Sequence, residues 1–258
     1  MTQEERRHFL LQALLAESAA YANTVIPEDV NAQKQLLRGL MNLRAPLPCN
    51  DDFLRVQDEY LSCEIAAKGV TDAKTLIPVK DGLCLWQGDI TTLKCDAIVN
   101  AANSGMTGCY VPNHRCIDNC IHTFSGVQLR LACDRLMQAQ GRPEATGQAK
   151  ITPAFNLPCR FVLHTVGPIV NGPLTPAHCR QLSACYRACL TLAAQQGLES
   201  IAFCCISTGE FYFPHEKAAQ IAVSTVQDFC QNPTSIQRVI FNVFKEIDRD
   251  CYQRLLCA

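Results

Sequence analysis

The chain has 258 residues, 48% of them hydrophobic, and a formal net charge of −1. Such a length allows one large domain, or one domain with an extension, around an ordinary globular core. The charge argues against a nucleic-acid partner held by a strongly basic surface, and no apolar run approaches the ~20 residues that a membrane span needs.

Residues 1–70 read as a helical N-terminal extension. Thr2 and Glu5 have the spacing of a capping box, and Leu10, Leu11, Leu14 and Leu15 then mark one helical face. Residues 9–16 are apolar enough to suggest a signal peptide, and Ala20-Tyr21-Ala22 resembles a cleavage site. Glu4 and Glu5 stand where a positive n-region belongs, and Gln12 and Glu17 interrupt the apolar stretch, so an amphipathic helix is the preferred reading. A second helix follows Pro27, with Leu36, Leu37, Leu40 and Met41 facing inward, and Pro46 and Pro48 punctuate the chain. A third runs from Asp51 or Asp52 to a stop at Gly69, burying Phe53, Leu54, Tyr60, Leu61 and Ile65.

After Gly69 the pattern changes. Strands are expected over 83–86, 97–99, 161–166, 201–206 and 239–244, and helices over 117–140, 176–196, 214–231 and 248–256. The alternation predicts an α/β domain over residues 71–258 with a mainly parallel central sheet. Ligands of such sheets bind at the carboxyl ends of the strands.

The seventeen cysteines are too many, in too long a chain, for a small disulfide scaffold. Reduced thiols in a cytoplasmic protein are the simpler reading, most of them acting as small core side chains. Cys185 and Cys189 share a helix face, and Cys204 and Cys205 adjoin within an apolar strand. One cluster stands apart: Cys109-Tyr110-Val111-Pro112-Asn113-His114-Arg115-Cys116 brings two thiols and an imidazole into one short loop. Thiolate and neutral imidazole are ligands Zn²⁺ prefers, and three of them leave a fourth position for water or substrate. The alternative is chance clustering in a cysteine-rich chain. Cys120, one turn beyond Cys116, competes as a ligand, but a fourth protein ligand would close the site, so it is read as packing. His122 is read as structural.

Four further motifs fall at expected strand ends: Gly88-Asp89-Ile90-Thr91, Asn100-Ala101-Ala102-Asn103, Thr165-Val166-Gly167-Pro168 and Ser207-Thr208-Gly209-Glu210-Phe211. Their order and spacing over roughly residues 75–258 resemble the macrodomain family, which binds ADP-ribose. The Cys-x4-His-x-Cys loop resembles its zinc-dependent branch, whose members remove ADP-ribose from proteins and carry a helical N-terminal extension. The resemblance implies a three-layer α/β/α domain with a mixed, mainly parallel sheet. It also implies a hydrolase with one Zn²⁺ held by Cys109, His114 and Cys116. The substrate implied is a protein carrying mono-ADP-ribose through an ester to Asp or Glu, and the product is ADP-ribose.

By the same resemblance Asp89 accepts from the adenine amino group, with the backbone of Ile90 at the ring edge. Asn103 contacts the hydroxyls of the distal ribose, while Asn100 supports the loop. The small-residue loop Ser207-Thr208-Gly209 receives the pyrophosphate, Glu210 counts among the residues that bind ADP-ribose, and Phe211 packs on the distal ribose. Phe244, with Asn242 close by, is chosen as the adenine wall. Plain structural readings stand beside these: a capped turn at Asp89, a turn residue at Asn103, core aromatics at Phe211 and Phe244. The chain departs from many macrodomains in replacing a glycine-rich stretch by the metal-type loop; Asp118 still falls where their helix-starting aspartate stands. Two routes stay open for hydrolysis: water activated by the cation, and chemistry led by Asp118. A non-catalytic ADP-ribose reader and a structural zinc module are the alternative classes.

Overall fold

The computed structural model describes residues 1–257. Three helices come first: α1 (Gln3–Ala16), α2 (Val30–Leu43) and α3 (Asp51–Lys68). Each starts at a side-chain cap, which satisfies backbone N–H groups the helix leaves open. Thr2 Oγ1 accepts from the Glu5 amide at 3.2 Å while Glu5 Oε2 accepts from the Thr2 amide at 2.7 Å, so the capping box is formed. Asp29 caps α2 and Asn50 caps α3, which ends at Gly69 with φ 85°. Leu10, Leu11 and Leu14 of α1 pack with Leu37, Leu40 and Met41 of α2 and Phe53, Tyr60 and Leu61 of α3 in one apolar cluster. Leu15, Leu36 and Leu54 lie at its margin. The stretch with signal-peptide character is thus a packed helix.

The rest of the chain runs β1 (Thr71–Asp72), β2 (Leu83–Gln87), β3 (Leu93–Lys94), β4 (Ala97–Ala102), α4 (Ile117–Ser125), α5 (Val127–Gln140), β5 (Ala149–Pro153) and β6 (Phe161–Val166). It continues with α6 (Pro176–Gln195), β7 (Ser200–Phe203), α7 (His215–Cys230), β8 (Arg238–Val243) and α8 (Glu246–Leu256). Six strands form the central sheet in the order β2-β8-β7-β4-β6-β5; all pairs are parallel except β5 with β6. The expected mixed, mainly parallel α/β architecture is the one found. Successive residues of β4, β6 and β8 are buried, as strands covered on both faces require.

Three details differ from the sequence reading. The helix expected over 117–140 is two helices, broken at Gly126, where φ is +95° and an added Cβ would lie 2.6 Å from Gln128 Oε1 and 2.7 Å from Gln57 Nε2. The strand expected over 201–206 ends at Phe203, and residues 204–206 lead into Ser207, whose φ is +67°. The antiparallel edge strand β5 carries too short an apolar pattern to be read from sequence. Because five strands run parallel, the segments after β2, β4, β6, β7 and β8 all emerge at one rim of the sheet.

Candidate active site

Asp118 lies in the first turn of α4 and is 5% exposed. Cys116 caps that helix, its Sγ accepting from the Asn119 amide at 3.4 Å. Two asparagines from the end of β4 hold the carboxylate: Asn100 Nδ2 donates to Oδ1 at 2.8 Å and Asn103 Nδ2 to Oδ2 at 3.2 Å. Burial pushes the Asp118 pKa up to about 6, against the opposing pull of Asn100, the Arg130 charge and Asn103. Asn103 also donates to the Gly108 carbonyl and accepts from the Gly105 amide, so it folds the loop as well as touching Asp118. Asn100, expected only to support the loop, contacts the carboxylate directly. His122 Nε2 lies 3.6 Å from Asp118 Oδ1. Gly108, φ +86°, passes over the His122 ring so closely that a Cβ would sit 2.7 Å from its Cγ.

Cys109, His114 and Cys116 come together, their ligand atoms all within 4.8 Å of one another. Cys109 Sγ is 3.7 Å from His114 Nδ1; a tetrahedral zinc with Zn–S of ~2.3 Å and Zn–N of ~2.0 Å separates such a pair by about 3.5 Å. The donor set and its spacing therefore fit Zn²⁺. Cys120 is outside this group and takes a contact from Arg38 Nη2 at 3.4 Å. A second group, His122, Cys133 and His164, is buried in the core, where His164 Nδ1 faces Asn100 Nδ2 at 3.2 Å and Nε2 faces Thr152 Oγ1 at 2.9 Å. With both His164 nitrogens engaged, this group reads as core, and His122 belongs to it.

Along the rim, Asp89 caps a short 3-10 turn over Ile90–Thr92 and accepts from the Thr91 hydroxyl at 2.6 Å and from Lys68 Nζ at 2.9 Å. Burial works to raise its pKa, but the Thr91 and Lys68 contacts outweigh that and hold it below the usual carboxylate range. Ile90 is buried beneath it. Asn242 donates to the Gly88 carbonyl at 2.9 Å and so shapes this loop. Phe244, just past β8, is 77% exposed and is not a core side chain.

After β7, the amides of Thr208, Tyr212 and Phe213 are bonded within the loop. Those of Gly209, Glu210 and Phe211 have no hydrogen-bond partner among the described residues. Ser207 Oγ is buried without a partner, and Gly167 must be glycine here because a Cβ would fall on that oxygen. Phe211 is half-buried, its carbonyl accepting from the Val170 amide at 2.9 Å. His114 Nε2 lies 3.8 Å from Glu210 Oε1, which joins the metal-type loop to this one.

Several contacts had no sequence signal because they reach across the chain. Arg38 Nη2 donates to the His114 carbonyl and to Asn119 Oδ1, both at 2.9 Å. Asn42 Oδ1 accepts from the Asn113 amide at 3.0 Å, and Asn42 Nδ2 donates to Thr123 Oγ1 at 2.9 Å. Arg130 lies 4.1 Å from the Tyr110 ring centroid and donates to carbonyls at the end of α2.

Residues 99–222 match the sequence model of the Macro domain. Over 260 residues, 99% of this chain and 100% of the relative, the chain is 56% identical to a protein-ADP-ribose hydrolase of Treponema medium. It is 47% identical over 250 residues to a protein-ADP-ribose hydrolase of Staphylococcus aureus (strain MRSA252), covering 96% of this chain and 94% of that one. Among solved structures, the Trypanosoma brucei macrodomain in complex with ADP-ribose matches with a TM-score of 0.65 and 28% identity, over 84% of this chain and 94% of that chain.

Proposed function

Because this chain belongs to the macrodomain family, we propose that it hydrolyses the bond between ADP-ribose and a modified protein. Asp118 carries this reading: a carboxylate buried at the rim, fixed by two asparagines and raised toward neutrality, in the segment that follows a three-ligand metal set. The rim has the length for the ligand. Asp89 follows β2 and Asn103 follows β4, three strands apart in the sheet order, or roughly 14 Å at ~4.8 Å per strand. Adenine is seated between Asp89 and Phe244, the diphosphate on the free amides of Gly209 and its neighbours, and the distal ribose beside Asn103 and Phe211.

Asp118 orients the attacking water and accepts its proton as the bond at the anomeric carbon breaks. The developing charge is oxocarbenium-like. We favour an ester to Asp or Glu as the linkage. Its leaving group is a carboxylate with a pKa near ~4, which departs without a general acid, so one carboxylate suffices where glycosidases use a pair. Cys109, His114 and Cys116 would hold Zn²⁺, whose chemistry there is polarisation of an oxygen at the ribose end, moderated by two thiolates. Unpaired thiols at all seventeen cysteines suit a cytoplasmic setting.

The test is release of label from a protein mono-ADP-ribosylated on acidic side chains, with and without chelator. Release by the parent protein and loss of release in Asp118→Ala are expected. Retained label with the parent protein would make it a reader.

A further inference from the structure

Of the three metal-type ligands, only His114 has a second polar ring atom. Its Nδ1 faces Cys109 Sγ at 3.7 Å, which makes Nδ1 the atom aimed at the cation. Its Nε2 faces outward, 3.8 Å from Glu210 Oε1. Glu210 sits in the loop with the free amides, and its side chain is 66% exposed. A carboxylate in a loop that receives a diphosphate repels the ligand it is supposed to bind. Its placement asks for another role.

We propose that Glu210 is a positioning residue for His114 and not a nucleotide contact, an inference that rests on the metal reading above. The carboxylate accepts the Nε2 proton, which fixes the tautomer that leaves Nδ1 free for the cation and turns the ring toward the two thiols. Metal-bound histidines characteristically donate their other ring N–H to a carboxylate in this way, and the pairing strengthens the ligand. The 3.8 Å separation is about 1 Å longer than a charge-assisted hydrogen bond of ~2.8 Å, and the glutamate is exposed and unpacked enough to move. The arrangement links two binding events. ADP-ribose seated on the 207–211 loop fixes the segment that carries Glu210, and a cation on His114 engages the same carboxylate. Each then tightens the other by the same factor.

The experiment compares the parent protein with Glu210→Gln and Glu210→Ala, with circular dichroism to check folding. Zinc affinity is read by competition with a chromophoric chelator, and the cobalt-substituted visible spectrum reports ligand geometry. Glu210→Ala is expected to weaken zinc roughly 10- to 100-fold, with Glu210→Gln intermediate. Without metal, the variants should bind ADP-ribose no more weakly than the parent, since the substitution removes a repelling charge. In the parent alone, ADP-ribose should raise zinc affinity. Equal zinc affinity in all three proteins overturns the inference. So does a fall in metal-free ADP-ribose affinity with zinc unaffected. A parent protein that binds no zinc overturns the metal reading itself, a result distinct from either.

Discussion

A carboxylate that titrates near neutrality has a visible consequence at the residue scale. In the unfolded chain an aspartate titrates near ~3.9, whereas burial places Asp118 at about 6. Below the unfolded value the neutral form prevails in both states and the fold has its full benefit. As pH rises through about 6 the buried side chain ionises and that benefit is lost, at a cost of roughly 3 kcal/mol at neutral pH. The fold therefore bears a charged Asp118 at the pH where the proposed chemistry needs it. If ionised Asp118 accepts the proton of water, kcat/KM should rise with pH through an inflection near 6 and then level. Asp118→Ala should lower kcat by about 10²–10⁴ while keeping zinc content. A flat profile from pH 5 to 7 in the parent, or an unchanged rate in the variant, refutes this role.

At the scale of elements, α2 acts on a loop some seventy residues further along the chain. Arg38 holds the His114 carbonyl, Asn42 holds the Asn113 amide, and Asn113 sits at φ +58°, a conformation that needs such support. Gly39 lets the helix approach: a Cβ there would lie 3.4 Å from Asn113 Nδ2. Arg130 ties the same loop to the end of α2 through Tyr110. These bonds order the loop before any ligand arrives, so the proposed metal set loses less entropy on binding. Arg38→Ala should leave the helical content intact and weaken zinc by about tenfold or more in a chelator competition. Unchanged affinity would show that the loop orders itself.

At the scale of the molecule, what was legible in the sequence was local. The capping box at Thr2, the stop at Gly69 and apolar runs leading into Asn100 or Ser207 act over a few residues, so their pattern shows without the fold. The metal-type loop was legible for the same reason: its ligands span eight positions. The partners of those residues were not. Arg38 meets Asn119 across 81 positions and Lys68 meets Asp89 across 21, and no periodicity encodes such a pairing. Those long-range bonds place the loop between α2, in the smaller apolar cluster, and α4 and α5 of the α/β layer. Loss of the proposed cation should then be felt at that junction. At a hundredfold excess over Kd a ligand that binds only the folded state adds about 2.7 kcal/mol, and a chain of this size shifts by ~2–4 °C per kcal/mol. Chelation should lower the Tm by roughly 5–10 °C. Amide exchange should quicken first in residues 109–116 and in α2, where Asn113 and His114 meet Asn42 and Arg38, and last in the parallel strands β4 and β6. An unchanged Tm, or faster exchange spread evenly over the sheet, would mean that the loop does not join the two clusters through a metal.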